Sequence, residues 1–144
     1  MRFLLQTLFL IAIPTQFLFT GCFSLDGPRV QFRKDPGAIG PFSSAVQVGP
    51  LVHVSGKIGE RGAGFEREVT TCIDSVEKEL ANWGLGLGDV VEARVYLTDM
   101  GRYAEFNELY GSRFQDPYPA RTCVAVAALP AGAQVEIQVA ARAR

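Results

Sequence analysis

Two stretches with apolar residues at helical spacing, set among stretches that alternate apolar and polar residues, limit what this chain can become. From Phe65 to Trp83 the positions Val69, Cys72, Ile73, Val76, Leu80 and Trp83 share one face, and Gly84, Gly86 and Gly88 follow. That spacing predicts an amphipathic helix of about five turns. A second stripe, Tyr103, Phe106, Tyr110 and Phe114, predicts another helix, closed by Pro117 and Pro119. The segments AVQVG and LVHVSG read as two strands joined by a tight turn at Gly49-Pro50. Between Asp89 and Asp99, Val91, Ala93, Val95 and Leu97 alternate with Glu92, Arg94, Tyr96 and Thr98, the signature of a strand with one covered face. RTCVAVAAL and QVEIQVAA flank Leu129-Pro-Ala-Gly and read as strand, turn, strand. The order β-β-α-β-α-β-β predicts an α+β fold, a sheet with both helices on one face. Small apolar residues on both sides of the strands, including Val46, Val48, Val52, Val54, Ala125 and Ala140, predict that subunits pack sheet to sheet.

The chain is 48% apolar, and the first two dozen residues, which lie outside this pattern, are richer in apolar side chains than the rest. Phe3 to Gly21 carries no charge and follows a single basic residue, Arg2, which reads as the start of an export leader. As a helix it would reach roughly 28 Å, enough to span a bilayer, although Pro14 and Gln16 interrupt it. Phe19-Thr20-Gly21-Cys22 resembles a bacterial lipobox, with Cys22 as the lipidation site. Cleavage after Ser24 to a soluble exported form, an uncleaved anchor, and a cytoplasmic protein with a misplaced start are the alternatives. The expected organisation is therefore a leader at 1–24, a linker or extended arm at 25–38, and a folded domain at 39–144. Exported, periplasmic or membrane-anchored placement follows, with membrane contact only through the leader or its lipid.

With 14 Lys and Arg against 15 Asp and Glu, the formal charge is −1, and no basic tail or stripe supplies the electrostatic attraction that nucleic-acid binding needs. One His and three Cys, the cysteines spaced about fifty residues apart with no C-x-x-C pair, argue against a zinc site. Neither a metal nor a cofactor is expected. Cys72 reads as a core thiol and His53 as an ordinary strand histidine. The glycines of GERGAGF lack the Lys-Ser/Thr of a phosphate loop.

Composition and pattern show no catalytic motif, yet one strand is unusual. Arg121 opens an otherwise apolar strand, and alternation puts it on the face of Cys123 and Ala125. A guanidinium against a half-buried sheet needs a partner, either a structural carboxylate or the carboxylate of a ligand. Glu136 points away from Val135 and Ile137. If the last two strands form a hairpin about Ala131-Gly132, Arg121 lies opposite the chain end, and the two charges meet only across a subunit boundary or in a shifted register.

Across Ile39 to Ala141 the blocks IGPFSSAVQVG, LVHVSGKIG, GDVVEARVYLTDM, FNELY and PARTCVAVAALPAGAQVEIQVAA resemble the RidA/YjgF family of enamine/imine deaminases. The resemblance implies a chorismate-mutase-like α+β fold, a homotrimer, and ligand clefts at the subunit interfaces. It implies hydrolysis of 2-imino or 2-enamino acids, such as 2-aminoacrylate or 2-iminobutyrate, to 2-oxo acids and ammonia. Arg121 matches the arginine that grips the substrate carboxylate, and Glu136 the acid that orients or activates water. Ser55, Gly56, Cys123 and Asn107 match positions lining the cleft. Phe42 departs from the usual Tyr and keeps the aromatic wall without its hydroxyl; Lys57 stands where Gln is common. The lost hydroxyl keeps a second expectation open, a non-catalytic protein of this fold that binds small carboxylates.

Overall fold

The computed structural model describes residues 27–143 apart from 28, 36 and 38; the leader and Cys22 lie outside the described residues. The chain forms a six-stranded mixed sheet with two helices. Its strands are β1 (Val30–Arg33), β2 (Ala45–Val48), β3 (Leu51–Ile58), β4 (Val90–Leu97), β5 (Ala120–Ala125) and β6 (Val135–Arg142). The helices are α1 (Phe65–Ala81) and α2 (Tyr103–Arg113). In space the strands run β1-β2-β3-β6-β4-β5, with β4 and β5 parallel and every other neighbouring pair antiparallel. The α+β class and the two amphipathic helices match the expectation. One strand is additional: β1 arises in the segment expected to be a linker or extended arm, and it pairs along its whole length with β2.

The last two strands do not form a hairpin. β4, α2 and β5 make a parallel crossover unit, and β6 returns into the middle of the sheet between β3 and β4. Burial explains the choice. Val135, Ile137, Val139 and Ala141 are all buried, as a central strand requires, whereas β5 is half-buried or exposed throughout, as an edge strand is. A bulge between Val90 and Glu92 corrects the expected alternation in β4, so Val90 faces the core and Val91 faces solvent.

One face of the sheet and the helices enclose the core. Val52, Val54, Val95, Leu97 and Ile137 meet Val69, Ile73, Val76 and Leu80 of α1 and Phe106 and Phe114, all buried. Each such aliphatic side chain contributes on the order of 1.5–3 kcal/mol through burial. The Cys72 thiol lies in this layer as expected, donates to the Lys57 carbonyl at 3.0 Å, and is pushed far up by burial. On the other face, apolar side chains gather toward β1, as Val30, Phe32, Val46, Val48 and Leu51, while Glu92, Arg94, Glu136 and Gln138 share the middle with Ala140, and Tyr96 and Val124 follow toward β5. That face is therefore mixed rather than apolar throughout.

Two buried glutamates fasten α1 at its ends. Glu68, 1% exposed, accepts from the Gln134 backbone N at 2.6 Å and from its Nε2 at 3.0 Å, which holds the entry of β6. Glu79, 4% exposed, accepts from Arg33 Nη1 at 2.9 and 3.1 Å and from Ser44 Oγ at 2.7 Å, which holds β1 and the start of β2. Eleven residues are three helical turns, so both carboxylates lie on the sheet side of α1. Gly59 passes so close to α1 that a Cβ there would overlap the Glu68 carbonyl oxygen. Backbone cannot give way as a side-chain tip can. Gly59→Ala is therefore expected to cost about 1–3 kcal/mol, read as a lowered denaturant midpoint with an unchanged slope.

Candidate functional site

The residues expected to form one site fall into two groups, and the sheet order decides which belongs to which. In the first, Arg121 extends from β5 over α2. Its Nη2 donates to Asn107 Oδ1 at 2.7 Å and to the Tyr103 hydroxyl at 3.2 Å, and its guanidinium carbon sits 4.7 Å from the centre of the Tyr110 ring. Tyr103, Asn107 and Tyr110 are spaced i, i+4, i+7, so one helical stripe supplies all three contacts. The guanidinium is stabilised by a ring face and two neutral acceptors. No carboxylate pairs with it among the described residues. Cys123, two positions along the strand, is half-buried; burial pushes its thiol up while Arg121 pulls it back. Tyr110 is buried, and its hydroxyl has no partner among the described residues; burial pushes it up to about 12 against the opposing pull of Arg121.

The second group lines a cavity of about 740 Å³ beyond the end of β2. Phe42, 45% exposed, Ser55, Gly56 and Glu136 share it with Ser44, Lys57 and Gln138. The pairing of β3 with β6 slips between Val54 and Lys57, taking Ser55 and Gly56 out of the ladder. Bulges of this kind re-aim backbone groups beside binding sites. The Ser55 hydroxyl donates to the Ser43 carbonyl at 2.6 Å and its N to the Ser44 carbonyl at 3.0 Å, which fixes the bulge to the preceding loop. Glu136 lies over Gly56, with its carboxylate where a Cβ would stand, so any larger residue at 56 displaces it. Burial raises the proton affinity of that carboxyl above the ordinary glutamate range.

Within one chain the groups do not meet. On β4, Ala93 is the partner of Arg121 and Tyr96 the partner of Glu136. Three residues along a strand reverse the face, so Arg121 faces the helix layer and Glu136 the open face. The expected pair is divided between two sides of the sheet, as the subunit-boundary alternative requires. Tyr103 and Tyr110 were legible only as core, although Asn107 on the same stripe marks a polar contact. Arg33, Ser44 and Glu79 carried no sequence signal beyond ordinary surface polarity.

A family profile described as Endoribonuclease L-PSP matches residues 32–143. The chain is 41% identical over 110 residues to the RutC family protein y4sK of Sinorhizobium fredii, covering 72% of this chain and 87% of that one. It is 36% identical over 119 residues to the 2-iminobutanoate/2-iminopropanoate deaminase of Mus musculus, covering 78% and 88%. Among solved structures, E. coli TdcF with bound serine superposes with a TM-score of 0.70 at 31% identity, covering 80% of this chain and 98% of that one.

The raised carboxyl is directly measurable. A carbon-13 titration of side-chain carboxyls is expected to show one glutamate with a midpoint above the ordinary range, and Glu136→Gln to remove that transition. A Glu136 midpoint at or below the range of exposed glutamates would contradict its partial burial over Gly56.

Proposed function

The chain belongs to the Endoribonuclease L-PSP family, also called RidA/YjgF, and from that premise we propose that it hydrolyses reactive 2-imino and 2-enamino acids to 2-oxo acids and ammonia. The observation that carries this reading is Arg121, a guanidinium oriented by Asn107 and Tyr103 with no carboxylate of its own among the described residues. Among the described residues of the chain no structural carboxylate pairs with it, and the carboxylate of a ligand would fit its remaining N–H groups. The deaminase name of the murine relative agrees with this class of chemistry.

The chemistry asks little of the protein. An imine carbon is already electrophilic, so the enzyme must hold the substrate, place a water and move protons. Arg121 grips the carboxylate. Glu136, as carboxylate, takes a proton from water as the oxygen bonds to the imine carbon and passes it to the nitrogen, giving a carbinolamine; it then takes the hydroxyl proton and delivers it to the same nitrogen, so that the carbon–oxygen double bond forms as the carbon–nitrogen bond breaks and ammonia leaves. A carboxyl held above its usual range is the stronger base for this role. No step requires a cofactor.

Because Arg121 and Glu136 lie on opposite faces, this reading requires two subunits for each site. The Arg121, Asn107 and Cys123 group of one copy closes over the Phe42, Ser55, Gly56 and Glu136 cavity of another, in a homotrimer. A second reading is favoured by Phe42, whose ring lines the cavity without a hydroxyl: the cleft binds a small carboxylate, such as a 2-oxo acid, without turnover. An RNA-directed activity has little electrostatic support in a chain whose 14 basic and 15 acidic residues nearly balance. For the address we retain export, as a periplasmic or lipid-anchored protein. Mass spectrometry of the membrane fraction is expected to find Cys22 as a diacylglyceryl amino terminus, and an unmodified peptide running through Cys22 would refute lipidation.

The shared site has its own test. Arg121→Ala and Glu136→Gln should each abolish imine decay while leaving the oligomer intact. Unfolding and refolding the two variants together at equal amounts should restore about a quarter of wild-type activity, because random assembly pairs the two intact half-sites at that frequency. No recovery would overturn the two-subunit site. Binding of 2-oxobutyrate by calorimetry without accelerated imine decay in the wild type would favour the non-catalytic reading.

A further inference from the structure

Lys57 follows Gly56 in the chain, but its side chain turns toward the helix layer. Its Nζ donates to Ser44 Oγ at 2.6 Å and stands 3.8 Å from Glu79 Oε2, while the side chain remains 14% exposed. The plain role for such a lysine is to neutralise a buried glutamate, but Glu79 is already satisfied. Arg33 Nη1 bonds both of its oxygens at 2.9 and 3.1 Å, and Ser44 adds a third bond at 2.7 Å. At 3.8 Å the ammonium is beyond hydrogen-bond distance of that carboxylate. One buried negative charge therefore faces two cations.

The surplus lies on the wall of the cavity that holds Gly56 and Glu136. Near it, Arg33, Lys57 and Lys78 line the cavity together with Glu79 and Asp35, and Asp35 Oδ1 accepts from the Gly37 backbone N at 2.9 Å. Counted with Glu136, the lining holds three cations and three carboxylates, so the positive excess is local, where Arg33 and Lys57 both face the single Glu79 carboxylate.

We infer that this cavity selects imines bearing a second anionic group, those of acidic amino acids such as 2-iminoglutarate and 2-iminosuccinate, and that Lys57 receives the distal carboxylate. The inference rests on the imine-hydrolysing reading: Arg121 holds the carboxylate next to the imine carbon, and Lys57, with at least one N–H still uncommitted, holds the other. Lysine offers a point charge on a flexible stem, so it can reach carboxylates at more than one chain length.

The test uses the full-length protein, with imines generated in place by an amino-acid oxidase from glutamate, aspartate and 2-aminobutyrate. The wild type is expected to favour the two dicarboxylate imines in kcat/KM by about tenfold or more. Lys57→Gln should lower that ratio at least tenfold, and Lys57→Arg should keep most of it. Calorimetry on the wild type with 2-oxoglutarate and 2-oxobutyrate reads the same preference without any variant and so does not depend on the folding of Lys57→Gln. Equal binding of the two oxo acids, or a ratio unchanged by Lys57→Gln in a protein that melts normally, would overturn the inference while leaving imine hydrolysis intact. Failure to bind or turn over any of these compounds would instead bring down the underlying reading, and this inference with it.

Discussion

The buried carboxylate of Glu79 is the interaction on which the site end of the molecule depends. A charge removed from water is tolerated only when opposite charges and donors surround it, and Arg33 of β1 and Ser44 beside β2 do so for Glu79, while Lys57 of β3 is tied to the cluster through its bond to Ser44. Their convergence holds β1 against β2, holds the start of β2 against α1, and fixes where β3 emerges beyond the end of β2. The cavity lies at that emergence. A short edge strand such as β1 has little apolar burial of its own, with Val30 and Phe32 exposed, so the Arg33 to Glu79 bond supplies what packing does not.

The second constraint is the place of β6. Inserting it between β3 and β4 puts Val135, Ile137, Val139 and Ala141 at the most buried position of the sheet, and alternation then sends Glu136 to the opposite face. Edge strand β5, running parallel to β4, presents Arg121 to α2 instead. The separation of the two charged residues is therefore a consequence of topology rather than of local side-chain choice.

Spacing along the chain reports some of this architecture and not the rest. Both helices, the buried stripe of α1, the β2–β3 turn and the alternation of β6 follow from spacing, because periodicity reports which face of an element is covered; of the second stripe Phe106, Tyr110 and Phe114 are buried, whereas Tyr103, at the start of α2, is exposed beside Arg121. Neighbour relations are not local. RTCVAVAAL and QVEIQVAA are both apolar, and nothing in either says that one is an edge and the other the centre; the hairpin expectation took chain proximity for pairing. β1 was missed for a related reason, since four residues among glycines and prolines carry too little alternation to register. Glu79 and Lys57 were invisible as a pair because their contact spans elements. Arg121 was legible because a charge in an apolar strand violates the local pattern, and such violations mark places where a side chain is kept for something other than folding.

The two kinds of arginine in this structure show how that distinction is made physically. Arg33 is committed: its contacts are to a buried carboxylate, and they hold the fold together. Arg121 is oriented but not neutralised, held by an amide oxygen, a phenol oxygen and a ring face, none of which cancels its charge. Neutral acceptors keep the guanidinium from wandering while leaving its field unspent, so an arriving anion meets a pre-positioned fork and loses little side-chain freedom on binding. A carboxylate in place of Asn107 would hold Arg121 more tightly and at the same time compete with any anionic ligand. The amide is the side chain of that size that orients the charge without consuming it.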